Sequence, residues 1–245
     1  MDRTRLVELL IDSFPEWNDL PETCWVRGAI DRNWDSWTSA IALVSTHGGR
    51  DVLMERIRDE HPVARRVDKE ADQGLRSALA EAEAFAWAVQ VGGFRNPRFA
   101  SLREGMPDIE CDGPVWIEAK TIGSSDLDRS AQALANLTSP IGFRIGTPEP
   151  AGRGFFNKFE GAFEDAQRKF DRALSTGEHA SRVVFFHLTE IDLNIFGYHE
   201  DAVDKLNGWA NRTARECDVR IVLIRNMEWE TPVFDTNDLP RAGTM

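Results

Sequence analysis

Two apolar runs, Arg182 to Leu188 (RVVFFHL) and Val219 to Ile224 (VRIVLI), each follow an amphipathic helix pattern, and this alternation limits the folds open to the chain. Phe159, Phe163, Ala166, Phe170 and Leu174 recur at helical spacing, which predicts a helix over residues 158–175. Residues 199–216 predict a second. Strand–helix–strand order implies parallel strands joined by right-handed crossovers. Upstream, Leu75, Leu79, Ala82, Phe85, Ala86 and Val89 form an apolar stripe, so residues 70–91 read as one helix stopped by Gly92-Gly93. Phe94 to Leu102 reads as an edge strand because Pro97 cannot donate to a ladder. The expected order is therefore helix, three antiparallel strands, helix, strand, helix, strand: an α/β (α+β) domain with a mixed sheet.

The second and third strands are the runs 106–111 (MPDIEC) and 115–122 (VWIEAKTI), separated by Asp112-Gly113-Pro114. Asp-Gly between such runs signals a hairpin. Side chains alternate faces along a strand, so Glu118 and Lys120 share one face while Ile117 and Ala119 take the other. A two-residue loop would put Asp108 opposite Ile117, on the wrong face. A three-residue loop puts Asp108 opposite Glu118, and Pro114 suits the loop better than the strand. In that register both carboxylates and the lysine meet.

Those residue types suit phosphodiester chemistry. Mg²⁺ prefers oxygen ligands and usually takes one or two protein carboxylates, with water and phosphate oxygens completing its shell. Asp108 and Glu118 are the expected ligands, with the Ala119 carbonyl as a third, and Mn²⁺ would fit the same oxygen set. Lys120 would orient the attacking water or stabilise charge on the phosphorus oxygens. The spacing alone also fits a hairpin whose Glu118 and Lys120 are solvated charges; context separates the two readings. On the preceding helix, Glu81 and Glu83 flank the apolar stripe at about equal angles, roughly 100° to either side. Either side chain could enter the pocket, and periodicity does not choose between them.

This arrangement resembles the PD-(D/E)xK nuclease superfamily, whose fold is that of type II restriction endonucleases. The resemblance spans about residues 70–225 and rests on Pro107-Asp108, Glu118-Ala119-Lys120 and the element order. It implies a restriction endonuclease-like core and a Mg²⁺-dependent nuclease, with Asp108 and Glu118 as metal ligands and Lys120 as the catalytic lysine. It also implies a Gln or Lys on the next helix contacting substrate phosphate; Gln167, Lys169 and Lys158 are the candidates. A long segment, residues 123–157, departs from the family pattern. Within it, Ser125 to Leu137 reads as a short helix with a capping box. Pro140 to Phe156 reads as a Gly/Pro-rich loop. Its Arg144, Arg153, Phe143, Phe155 and Phe156 suit contact with a nucleic-acid strand, or anchor a surface loop.

Charge limits that reading. The 245-residue chain carries a formal charge of −12, which opposes non-specific binding to DNA or RNA. Arg95, Arg98 and Arg103, just before the motif, are the local basic cluster. An acidic nuclease binds substrate weakly unless a partner recruits it or copies of the chain cluster as a homo-oligomer. No apolar stretch is long enough to span a membrane, and the start (MDRTRLVELL) has no signal-peptide core, so a cytoplasmic location without membrane contact is expected. Cys24, Cys111 and Cys217 lack metal or redox spacing, as do the five histidines, of which His187 lies inside an apolar strand.

Residues 1–62 read as a small all-α domain before a nuclease-like domain at 63–245. Arg3 to Phe14, Asn33 to His47 and Asp51 to Glu60 carry helical patterns, and Gly48-Gly49 separates the last two. Such a unit either packs structurally on the nuclease or serves as a protein-interaction module. Its helix order, Trp37, the Gly-Gly break and the His61-Pro62 ending resemble bacterial effector-associated, death-fold-like domains. That resemblance implies recruitment to a sensor protein, as in antiphage defence. The expected function is thus a Mg²⁺-dependent endonuclease, with DNA the favoured substrate. The alternatives are a non-catalytic adaptor on a nuclease-like fold and a standalone restriction or repair endonuclease. Asn226 to Met245 is polar and is expected to trail over the surface.

Overall fold

The computed structural model describes residues 34–60, 69–100, 105–122, 153–174, 180–188, 200–225 and 232–238. The expected first helix (3–14), the junction at 63–68, the expected helix at 125–137 and most of the 140–156 loop lie outside them. Five helices and a six-stranded mixed sheet make up the described residues. In chain order the helices are α1 (Trp34–Thr46), α2 (Arg50–Glu60), α3 (Lys69–Gln90), α4 (Arg153–Leu174) and α5 (Glu200–Cys217). The strands are β1 (Arg98–Phe99), β2 (Ile109–Cys111), β3 (Val115–Ile122), β4 (Ser181–Leu188), β5 (Arg220–Arg225) and β6 (Phe234–Asp235).

Strand order in space follows the sequence, β1-β2-β3-β4-β5-β6. β3, β4 and β5 are parallel; β1, β2 and β6 pair antiparallel at the two ends. The hairpin has the expected three-residue loop, with Gly113 at φ +89°, a left-handed value that a side chain would strain. Ile109 pairs with Ile117 and Cys111 with Val115, so the same register continued by one residue sets Asp108 opposite Glu118.

Side-chain alternation divides the core between the two faces of the sheet. Ile117, Val183, Phe185, Val222 and Ile224 face α3, whose buried Phe85 and Trp87 meet them. The same cluster takes in Trp37, Ile41 and Val44 of α1 and Leu53 and Ile57 of α2. The described part of the N-terminal segment thus shares one core with α3 and the sheet. On the opposite face, Ile122, Val184, Phe186, Leu188 and Leu223 meet Phe159 and Phe170 of α4 and Leu206 and Trp209 of α5. Both crossover helices therefore lie on one side, and the site is built on that side, at the end of the sheet where β2 stops.

Several boundaries differ from those expected. The edge strand is only two residues long, and β2 begins at Ile109 rather than 106. The loop expected through Phe156 ends earlier, because Arg153 already opens α4 and Phe156 packs on its core cluster. Phe234-Asp235 does not trail but forms a sixth strand on β5, where the Asp235 carboxylate accepts bonds from Arg220 Nε (2.8 Å) and Nη2 (2.5 Å). Arg220 also stacks over the Trp87 ring, 4.7 Å from its centroid. This two-residue strand is held by an ion pair that no hydrophobic pattern announces.

Candidate active site

Asp108 stands where β2 gives out. Its Oδ2 accepts a hydrogen bond from the Ala119 N–H at 2.8 Å, taking the place of a strand carbonyl. Pro107 occupies the register position opposite Ala119 and has no N–H to give, so the ladder offers the Ala119 carbonyl no donor from that position. The hairpin therefore ends with one carboxylate tied to β3 and one backbone carbonyl turned to the same side.

Glu118 is fully buried beneath α4. Its Oε1 lies 2.8 Å from Lys120 Nζ and 2.5 Å from Lys169 Nζ, and Oε2 has no hydrogen-bond partner. Lys169 Nζ is also 3.6 Å from Asp108 Oδ1, so a single cationic centre reaches both carboxylates. Lys120 Nζ further bonds Asp165 on α4, a residue the sequence reading did not single out. Burial and the nearby Asp108 push the Glu118 carboxyl up to about 7, against the pull of the two lysines. Burial works against the charge of Lys169, but Asp108, Glu118 and Asp165 outweigh it and hold its pKa above the ordinary value. Asp165 is held below the usual carboxylate range by its bond from Lys120.

The two helix glutamates have different surroundings. Glu81 feels both Asp108 and Glu118, and burial together with Asp108 pushes its carboxyl up to about 8. It is paired with Arg56 of α2, an unanticipated member of the site. Arg56 Nη2 also donates to the Ala100 carbonyl (2.8 Å) and approaches that of Asp108 (3.5 Å), while its guanidinium lies over Phe99. Glu83 instead is buried facing His187 Nε2 at 3.7 Å, and burial alone drives its carboxyl well above the usual range. Of the two, Glu81 shares the electrostatic neighbourhood of Asp108 and Glu118.

Among the α4 candidates, Lys169 is the one in contact with the carboxylates. Gln167 faces Arg182, whose Nη1 lies 3.4 Å from its Oε1, and so points away from the site. Lys158 lies two turns before Asp165, about 10 Å along the helix axis. Of the expected basic cluster, Arg98 is spent on Glu110 (2.7 Å) and Asp112 (3.3 Å), and Arg103 lies outside the described residues.

The described residues contain no group of three or more His, Cys, Asp or Glu side chains arranged to hold a metal ion. Mg²⁺, however, asks for no more than one or two protein carboxylates. The buried Glu118 carboxylate, whose Oε2 has no hydrogen-bond partner and whose Oε1 faces Asp108 Oδ1 across one cationic position, and the Ala119 carbonyl fit one such ion. Comparison with protein-family models, with curated proteins and with solved structures yields no match.

Two stability predictions arise from these contacts. Arg56→Met keeps the apolar stem but deletes the bonds to Glu81 and Ala100; urea unfolding is expected to show a loss of about 2 kcal/mol. The loss stays moderate because Glu81, with its pKa near 8, can take up a proton when its partner goes. Glu83→Gln tests the neutral state of Glu83. A carboxyl whose pKa is raised by folding binds its proton more tightly in the native state, so stability is greatest at low pH and falls as pH rises past the ordinary carboxylate value. Glu83→Gln should therefore lose less stability than the parent between pH 5 and pH 8. An unchanged pH slope would mean that Glu83 is not held protonated.

Proposed function

We propose that the chain is a Mg²⁺-dependent nuclease on a restriction endonuclease-like core, hydrolysing phosphodiester bonds with DNA as the favoured substrate. The observation that carries this reading is the meeting of Asp108 and Glu118 around one cationic position, with the Lys120 ammonium beside it. A divalent cation there, Mg²⁺ or Mn²⁺, would lower the pKa of a bound water and screen phosphate charge. Asp108, Glu118 and the Ala119 carbonyl would hold it. Lys120, fixed between Glu118 and Asp165, would position water or counter the charge growing on the phosphate oxygens. Glu81, which feels both carboxylates, would hold or release a proton near them.

The chain's acidity and the N-terminal segment together favour recruitment. Residues 1–62 hold seven basic and twelve acidic residues, a balance of −5, so they offer little to a DNA backbone. The reading of residues 1–62 as a segment that engages a protein partner, as an effector-associated module in antiphage defence would, rests on that balance and on the resemblance of this segment. Among the described residues no helix is long and apolar enough to cross a membrane.

The test is cleavage of DNA and RNA with Mg²⁺ or EDTA by the full chain, Asp108→Ala and Lys120→Ala. Activity is expected only with metal, and each substitution should lower it by about 10² or more. Metal-dependent cleavage unaffected by both substitutions would overturn the site. A recruitment module must be tested by cutting before Trp34, because α1 and α2 belong to the core. Removing 1–33 should leave basal cleavage intact, whereas a DNA-reading segment would not. One observation favours a second reading, a non-catalytic protein on this fold: lysines already neutralise Glu118. It predicts no Mg²⁺ binding by calorimetry.

A further inference from the structure

We propose, resting on the metal-site reading above, that Lys169 is an internal counter-ion: it occupies the cation position between Asp108 and Glu118 in the metal-free protein and must leave when a divalent ion binds. A buried carboxylate and a partly buried one reached by the same ammonium repel one another unless a positive group stands between them. Lys169 Nζ is that group, 2.5 Å from Glu118 Oε1 and 3.6 Å from Asp108 Oδ1. A Mg²⁺ ion bound by the same oxygens would sit about 2.1 Å from each. An ammonium and a dication cannot share that space, so the two occupants exclude each other.

The lysine has somewhere to go. Its side chain keeps 25% of its surface exposed, unlike Glu118 at 0%. Asp165 lies one helical turn earlier on α4, is 43% exposed and already attracts Lys169. Lys120 differs, because it is anchored on β3 beside Glu118 and bonded to Asp165. The displaced Lys169 would swing to the open side of the pocket, where a substrate phosphate approaches. Metal loading would thereby release a phosphate-binding lysine, and an unloaded site would keep it engaged. This couples substrate contact to metal occupancy through one side chain.

Calorimetric titration of the full chain with Mg²⁺ tests the exchange. Lys169→Met, which keeps the stem and loses the charge, should bind Mg²⁺ about tenfold more tightly or better than the parent, and Lys169→Gln should do the same. Lys169→Arg retains a cation and should bind no more tightly than the parent. In the unsubstituted protein, amine acetylation at Lys169 read by mass spectrometry should quicken when Mg²⁺ saturates the site. Equal or weaker Mg²⁺ binding by both neutral variants, or unchanged Lys169 labelling, would overturn the exchange while leaving the metal site standing. No Mg²⁺ binding by any of the proteins would overturn both.

Discussion

Glu118→Gln is expected to lower the proposed metal-dependent cleavage by about 10³ or more while leaving the fold intact. The amide keeps the shape of the side chain but removes the buried charge that would hold the ion. The fold should tolerate the change because burial and Asp108 already push the Glu118 carboxyl up to about 7, so a neutral group there is close to what the metal-free protein accepts. Lys120 keeps its bond to Asp165, and Lys169 keeps Asp108 within 3.6 Å, so neither lysine is stranded. The decisive comparison sets cleavage rate and Mg²⁺ affinity against urea unfolding of the same preparation. Loss of both functions with unfolding unchanged supports the site. Cleavage at the parent rate would remove Glu118 from the chemistry, and unfolding of the variant would make it a structural group.

Asp235→Ala should destabilise the protein by about 3 kcal/mol, the usual cost of removing one partner of a buried ion pair. For a chain of this size that is a fall in melting temperature of about 6–12 °C. Asp235 is almost fully buried, and the Arg220 side chain retains 18% exposure, so the unpaired guanidinium would remain largely out of water. It could not easily withdraw, because it is stacked against Trp87 and lies 5.6 Å from the Phe94 ring centroid. The carboxylate also accepts the Asn237 N–H at 2.9 Å, so the substitution loosens the turn after β6 as well. The double variant Arg220→Met, Asp235→Leu should recover most of the loss, since an apolar pair of similar volume carries no desolvation cost. Thermal unfolding of the parent and the two variants checks this. A single Asp235→Ala variant as stable as the parent would mean that β6 contributes nothing to the sheet.

The hairpin register was legible because it is local. Loop length and side-chain alternation together determine which residues oppose one another, and a slip of one residue would bury the polar face and expose Ile109 and Ile117. The parallel strands were legible for a related reason: RVVFFHL and VRIVLI are apolar throughout, as strands covered on both faces must be. By contrast, β6 is two residues long, too short for any periodicity, and its partner Arg220 is one arginine among many. What ties it to β5, besides backbone pairing, is the Arg220–Asp235 ion pair, which has no periodic signal.

The choice between Glu81 and Glu83 shows where reading the chain stops. At helical spacing both sit at similar angles to the apolar stripe of α3, so the periodicity is indifferent. Packing separates them: Arg56 of α2 and the end of β2 surround Glu81, while His187 of β4 faces Glu83. Lys169, Lys158 and Gln167 were likewise left open by the pattern, and the rotation of α4 on the sheet turned Lys169 toward the carboxylates and Gln167 toward Arg182. The element order, the three-residue loop and the pairing of Asp108 with Glu118 are written into the chain locally, since each follows from near neighbours and alternation. Which charges from α2, α3 and α4 surround that pair is fixed by packing, because the relative placement of packed helices is set by side-chain interlocking across the whole core and leaves no local periodic trace.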